Sequence, residues 1–266
     1  MGGKIDCYVD IASLYSYLVF LELQKNSALL ASHNVEVEFH PVLLGAINAG
    51  SGNRPPWTLP AKASYGTHDA RRSVARHNPP PPISVPKDLM TAAKTVVPLR
   101  CLHYIKQHHP RATFLATLHY LFYLFWAPPN TDLTTVESVS RALAGVPSGF
   151  IGPSTFPGAG TGPGAKPGTE TGEGTSGGGE RLFTEAEARA IVDAARGEEM
   201  KAVLKDTTQE ALERGAFGAP WLWVSDGRGR AEPFFGSDRF HFVYEFLGLP
   251  YRDVTLLPAG GGKGKL

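Results

Sequence analysis

Near its start the chain reads VDIASLYSYLVF, in which Ser13 and Ser16 stand three apart where a strand-like run, Ile5 to Asp10, gives way to an amphipathic segment. A hydroxyl at a helix start sits among unpaired backbone N–H groups at the positive end of the dipole, a place that favours an anion. There it can donate to a bound thiolate and lower the pKa of the thiol. It can equally accept from a backbone N–H and cap the helix. Both jobs are open to Ser13 from this stretch alone. FFGSDRF places Ser237 and Asp238 at a second expected helix start, running on to about Leu247. An ordinary cap with an acidic first turn explains both residues. They would also suit a group with a carboxylate and an ammonium on one carbon, as a γ-glutamyl group has. SGNRPP and PAK add Asn53, Arg54 and Lys62, an amide and two cations able to hold a second carboxylate or simply to face solvent.

Other chemistries find no support. The nine histidines show no H-E-x-x-H or similar spacing, and His119 lies in an apolar helix as a core residue, so no metal is expected. No G-x-x-x-x-G-K-[ST] is present, and GAGTGPG follows no strand, which leaves phosphate binding without a loop. The chain has 266 residues, 42% hydrophobic and 19% charged, which fits a globular fold with a substantial core. Net charge is +1 with no basic stripe read, so neither nucleic acid nor a membrane is an expected partner. The most apolar run, Ala112 to Trp126, is too short to span a bilayer comfortably and contains His119. Cys7 and Cys101 form no C-x-x-C and point to a reducing compartment.

The elements that must carry these groups follow from periodicity. KIDCYVD reads as a strand, 14 to 31 as one helix, and VEVEFHPVLL as a second strand with alternating polar and apolar faces. The middle is mostly helical, after Pro- and Gly-containing loops, with helices expected at about 89–108, 111–126, 132–143 and 184–214. Thr184 and Glu187 form a capping-box pattern. From Gly158 to Gly179 there is no large apolar residue, so a surface insertion at about 153–180 is expected to be disordered and dispensable. Trp221 to Val224 and Ala231 to Phe235, joined through Asp226-Gly227, read as a hairpin.

The order β-α-β, helical block, β-β-α defines an α/β class with a thioredoxin-like core and an inserted all-helical domain. The expected division is 1–50 with 215–258 for the core, 51–214 for the insertion and 259–266 for a flexible tail. In such a core Ser13 and Ser16 occupy the place where a disulfide enzyme carries C-x-x-C. Pro220 in GAFGAPW falls where a cis-proline would lie beside that helix start, against a trans proline that merely begins the strand.

With these pieces in order, the sequence resembles the kappa-class glutathione transferases and their bacterial relatives, the glutathione-dependent 2-hydroxychromene-2-carboxylate isomerases. The resemblance rests on DIASLYSYLVFLEL, HPVLLGAINAGSGNRPPWTLPAKASY, VPKDL, TTQEALERGAFGAPWLWV and FFGSDRF, and covers nearly all the chain outside the Gly-rich insertion and tail. It implies that Ser13 is catalytic, with Leu14 where the family usually has proline. It further implies glutathione contacts at Leu14, Tyr15, Asn53, Lys62, Ala219 beside the cis Pro220, Ser237 and Asp238. The expected activity is conjugation of glutathione, as cosubstrate, to a small hydrophobic electrophile. The alternatives are a glutathione-dependent isomerase and a non-catalytic glutathione-binding protein. A homodimer and a mitochondrial or peroxisomal address are also implied. No mitochondrial leader is read at the start, and the closing GKL differs from S-K-L at one position, which favours the peroxisome.

Overall fold

A computed structural model describes residues 2–77, 83–152 and 180–252. The expected insertion and the tail therefore lie outside the described residues, the Glu180 edge apart. Four strands, β1 (Gly3–Val9), β2 (Val35–Pro41), β3 (Trp221–Asp226) and β4 (Ala231–Phe235), form one sheet in the order β2-β1-β3-β4. β1 pairs parallel with β2 and antiparallel with β3, and β3 and β4 are the expected antiparallel hairpin. A thioredoxin-like core with a helical insertion is thus the fold. Alternation along β1 explains the two-sided burial of the sheet. Ile5, Cys7 and Val9 enter the main core, whereas Tyr8 enters a smaller cluster with Val42, Ile47, Ala211 and Trp221.

The expected helix over 14–31 is two helices, α1 (Leu14–Lys25) and α2 (Ser27–Ser32). They part at Asn26, whose side-chain amide bonds back to the Glu22 carbonyl at 3.0 Å. The second strand stops at Pro41, and α3 (Leu44–Ser51), not read from the sequence, follows. A 3-10 turn at Pro56–Thr58 leads to α4 (Pro60–His77), also unanticipated. The expected helix over 89–108 is interrupted: α5 (Leu89–Ala92) is one turn, and α6 (Val96–His108) starts after Thr95. α7 (Arg111–Trp126) has the expected bounds. α8 (Val136–Ala144) starts later than Asp132, because the Thr135 hydroxyl caps it by accepting from Ser138 N.

Gly197 divides the expected long helix into α9 (Glu185–Arg196) and α10 (Glu198–Glu213), and Thr184 and Glu187 form the anticipated capping box. One contiguous apolar cluster joins the sheet to α1, α6, α7, α8 and α9. The last helix, α11 (Phe240–Phe246), corrects an expectation: it starts at Phe240, not Ser237. Gly236 turns the chain out of β4 at φ +95°, a left-handed conformation that glycine adopts freely. Asp238 then pairs with Arg239 at 2.8 Å, so Ser237 and Asp238 belong to a bend before the helix. No described helix is long and apolar enough to cross a membrane.

Candidate active site at the start of α1

Strand β1 ends at Val9, and residues 10–13 turn the chain into α1 with Ser13 as N-cap in extended geometry. The Ser13 hydroxyl accepts from Ser16 N at 3.1 Å and donates to the Ala219 carbonyl at 2.8 Å. Ser13 therefore does cap the helix, as the simpler expectation had it, and it does so while bonded to a loop 206 residues away. The Ala219–Pro220 bond is cis, as the fold order anticipated. Ser13 is 6% and Ala219 7% exposed, so the hydroxyl lies just beneath the surface. The first turn of α1 carries no acidic side chain, which leaves the positive dipole end uncompensated within that helix.

The other predicted residues gather unevenly. Leu14 is nearly buried at the first helical position. The Tyr15 phenol donates to Asp69 of α4 at 2.6 Å. Burial first, then the bond to Asp69, pushes the Tyr15 pKa up. Asn53 follows the left-handed Gly52 that ends α3, and its amide donates to the Phe217 carbonyl at 2.6 Å. That bond ties the SGN loop to the loop bearing Ala219. Ser237 is buried and Asp238 exposed in the bend after β4. Lys62 stands exposed on the first turn of α4, and no bond joins it to the group among the described residues.

Several residues that shape the site escaped the sequence reading. Arg214, at the C-terminal end of α10, donates to the Tyr8 hydroxyl at 2.6 Å and to Asp6 at 3.4 Å. It thereby fixes the chain where it enters the Ala219 loop. Although burial alone would raise it, the Asp6 carboxyl is held well below its usual range by its bonds to His40 and Lys4. Asp69 escaped notice because no element is expected over the span that forms α4. Asp10, fully buried, accepts from Ala12 N at 2.9 Å, Leu44 N at 2.7 Å and Thr95 Oγ1 at 2.9 Å. Its place three residues before Ser13 was the available signal, since a carboxylate between a strand and a turn often organises that turn.

The two cysteines stand apart from this chemistry. Both are buried, and burial pushes both thiols up, Cys101 to about 12. No cluster of three His, Cys, Asp or Glu able to hold a metal occurs among the described residues.

The family described as DSBA-like thioredoxin domain matches residues 4–137. Glutathione S-transferase kappa 1 of Caenorhabditis elegans is 25% identical over 250 residues, 93% of this chain and 92% of that protein. The Homo sapiens protein of the same name is 26% identical over 248 residues, 92% and 90% of the two chains. Among solved structures, a 2-hydroxychromene-2-carboxylate isomerase superposes with a TM-score of 0.63 at 16% identity, over 92% of this chain and 94% of the other. A probable DsbA oxidoreductase from Streptomyces coelicolor does so with 0.56 at 16% identity, over 98% and 97%. The chain belongs to the DSBA-like thioredoxin family. Within it, the likeness to kappa-class glutathione transferases and 2-hydroxychromene-2-carboxylate isomerases, first drawn from the motifs, is borne out.

Proposed function

We propose that the chain is a glutathione transferase in which Ser13 and the start of α1 hold the glutathione thiolate for attack on a small apolar electrophile. One observation carries this: the Ser13 hydroxyl lies 2.8 Å from the carbonyl that precedes the cis Pro220. Helix start and cis-proline loop thus meet just beneath the surface with a serine, not a cysteine, between them. The relatives named glutathione S-transferase kappa 1, similar over more than nine-tenths of the chain, support the same activity.

The chemistry follows from the residue types. The thiol of glutathione loses its proton to solvent, and the thiolate sulfur takes the place beside the positive end of α1. The Ser13 O–H turns from the Ala219 carbonyl to the sulfur. The sulfur lone pair then forms a C–S bond to the electrophilic carbon, and the leaving group departs with its electron pair. Lowering a thiol from about 8.5 to about 7 raises the thiolate fraction at neutral pH from about 3% to about half. That change is worth about 2 kcal/mol, within reach of one charge-assisted hydrogen bond and a helix dipole. No separate general base is needed. We assign Tyr15, Asn53, Ala219, Ser237 and Asp238 to the glutathione backbone and its charged ends, with Lys62 as an outer cation. A disulfide oxidoreductase, the other chemistry named among the structural neighbours, would need a cysteine at Ser13 or Ser16, and Cys7 and Cys101 are buried elsewhere.

Ser13→Ala tests the assignment with a chloronitroaromatic acceptor. Turnover should fall by a factor on the order of 100, the range for losing one donor to a developing or bound anion. Undiminished turnover removes Ser13 from catalysis, and failure of the wild-type protein to bind glutathione removes the function altogether. Assaying chromene-carboxylate isomerisation in parallel separates an isomerase from a transferase. Binding with neither turnover identifies a glutathione-binding protein.

A further inference from the structure

We propose that Asp10 is the positioning residue of this site: its buried carboxylate holds the Ser13 turn, the helix leading to Asn53 and the start of α6 in mutual register. The inference rests on Ser13 and Asn53 being glutathione contacts. Asp10 is 1% exposed and uses every polar atom it has. Its Oδ1 accepts from Ala12 N, one residue before Ser13, and from the Thr95 hydroxyl, each at 2.9 Å. Its Oδ2 accepts from Leu44 N at 2.7 Å, the first helical N–H of α3, which no intrahelical carbonyl can satisfy. Its own carbonyl accepts from Ser13 N at 3.0 Å, and its N–H donates to Ser16 Oγ at 3.4 Å.

Two arms thus run from one side chain to the ends of the site. Through Ala12 it reaches Ser13. Through α3 it reaches Gly52 and Asn53, whose amide grips the Phe217 carbonyl in the loop of the cis Pro220. The groups facing Asp10 from the turn, α3 and the segment before α6 are two backbone N–H groups and one hydroxyl, and among the described residues no charged side chain pairs with it. A buried carboxylate with only neutral partners is an expensive way to fill space. Three donors from three elements need an acceptor with two oxygens and no N–H of its own. Asparagine has the same shape but turns an NH2 toward one of those donors. The role is distinct from chemistry at the sulfur, because Asp10 touches the frame of the site.

Asp10→Asn is the test, with Thr95→Val as a second variant that keeps the carboxylate and removes one donor. Amide hydrogen exchange should quicken in 11–17 and 43–53 while α7 stays protected. In the same proteins the glutathione Kd should rise about tenfold or more, the worth of one good hydrogen bond at the ligand. The pKa of the bound thiol, followed by its ultraviolet thiolate absorbance, should move up toward that of free glutathione. Unchanged exchange in both segments overturns the proposal, as does an unchanged Kd with an unchanged thiol pKa in folded D10N. Should D10N not fold, T95V decides by the same two readouts. Should wild type not bind glutathione, the proposed function falls, while the exchange pattern still decides whether Asp10 organises the turn.

Discussion

Asp10 makes the fold less stable at neutral pH than a neutral side chain of its shape would on burial grounds alone. Burial raises its pKa to about 6 from the usual 3.8, against the pull of its bonds to Ala12, Leu44 and Thr95. An acid whose folded pKa is raised binds its proton more tightly when folded. Its stabilising contribution is therefore complete below the unfolded value and is lost as pH rises through the window from 3.8 to about 6. A rise of that size corresponds to about 3 kcal/mol. Urea unfolding at several pH values should show wild type losing stability relative to D10N between pH 4 and 6, with a constant difference above pH 7. A difference that does not change across that window would mean that folding leaves the Asp10 pKa unshifted. Asn53 contributes less, and, on the proposed function, at the glutathione. Its bond to Phe217 is exposed and worth about 1 kcal/mol net. Asn53→Ala should raise the KM for glutathione about fivefold and leave kcat within a factor of two in steady-state assays, since Asn53 touches no reacting atom.

At the scale of elements, the clearest local signals are those whose cause lies within one turn. Thr184 and Glu187 satisfy each other's backbone N–H groups, with Glu187 Oε2 accepting from Thr184 N at 2.8 Å. Thr184→Ala should cost about 1 kcal/mol, lowering Tm by roughly 2–4 °C in calorimetry with conjugating activity unchanged. The bounds of α7 were legible because its residues are apolar almost all round, and ten of them are buried. α4 was not legible for the opposite reason. None of its 18 residues is fully buried, so it carries no apolar stripe to find. Its start is set by the Pro55-Pro56 turn, and its place is set by Tyr15 bonding Asp69 from α1. The start of α11 misled because Ser-Asp ahead of an apolar run is the ordinary cap signature, and only the left-handed Gly236 shows that the chain bends first.

Across the whole molecule, the stretch bracketing the Gly-rich insertion is closed by its own flanks. Ser148 N donates to the Glu180 carbonyl at 2.8 Å and Leu182 N to the Val146 carbonyl at 2.9 Å. Because this pairing holds the two ends together, replacing 158–179 by a short Gly-Ser link should leave Tm and turnover at wild-type values. A loss of activity on that deletion would give the insertion a part in function.

The sequence by itself determined the strands, most helices and the order β-α-β, helices, β-β-α, because alternation and capping are caused by residues near one another in the chain. It also determined that a serine, not a cysteine, stands at the head of α1. Only the tertiary structure decided that this serine meets Ala219, 206 residues on, and that Asp10 joins the turn, α3 and the Thr95 segment. Such contacts are made by whatever the fold brings to one point in space, and sequence spacing holds no record of that distance.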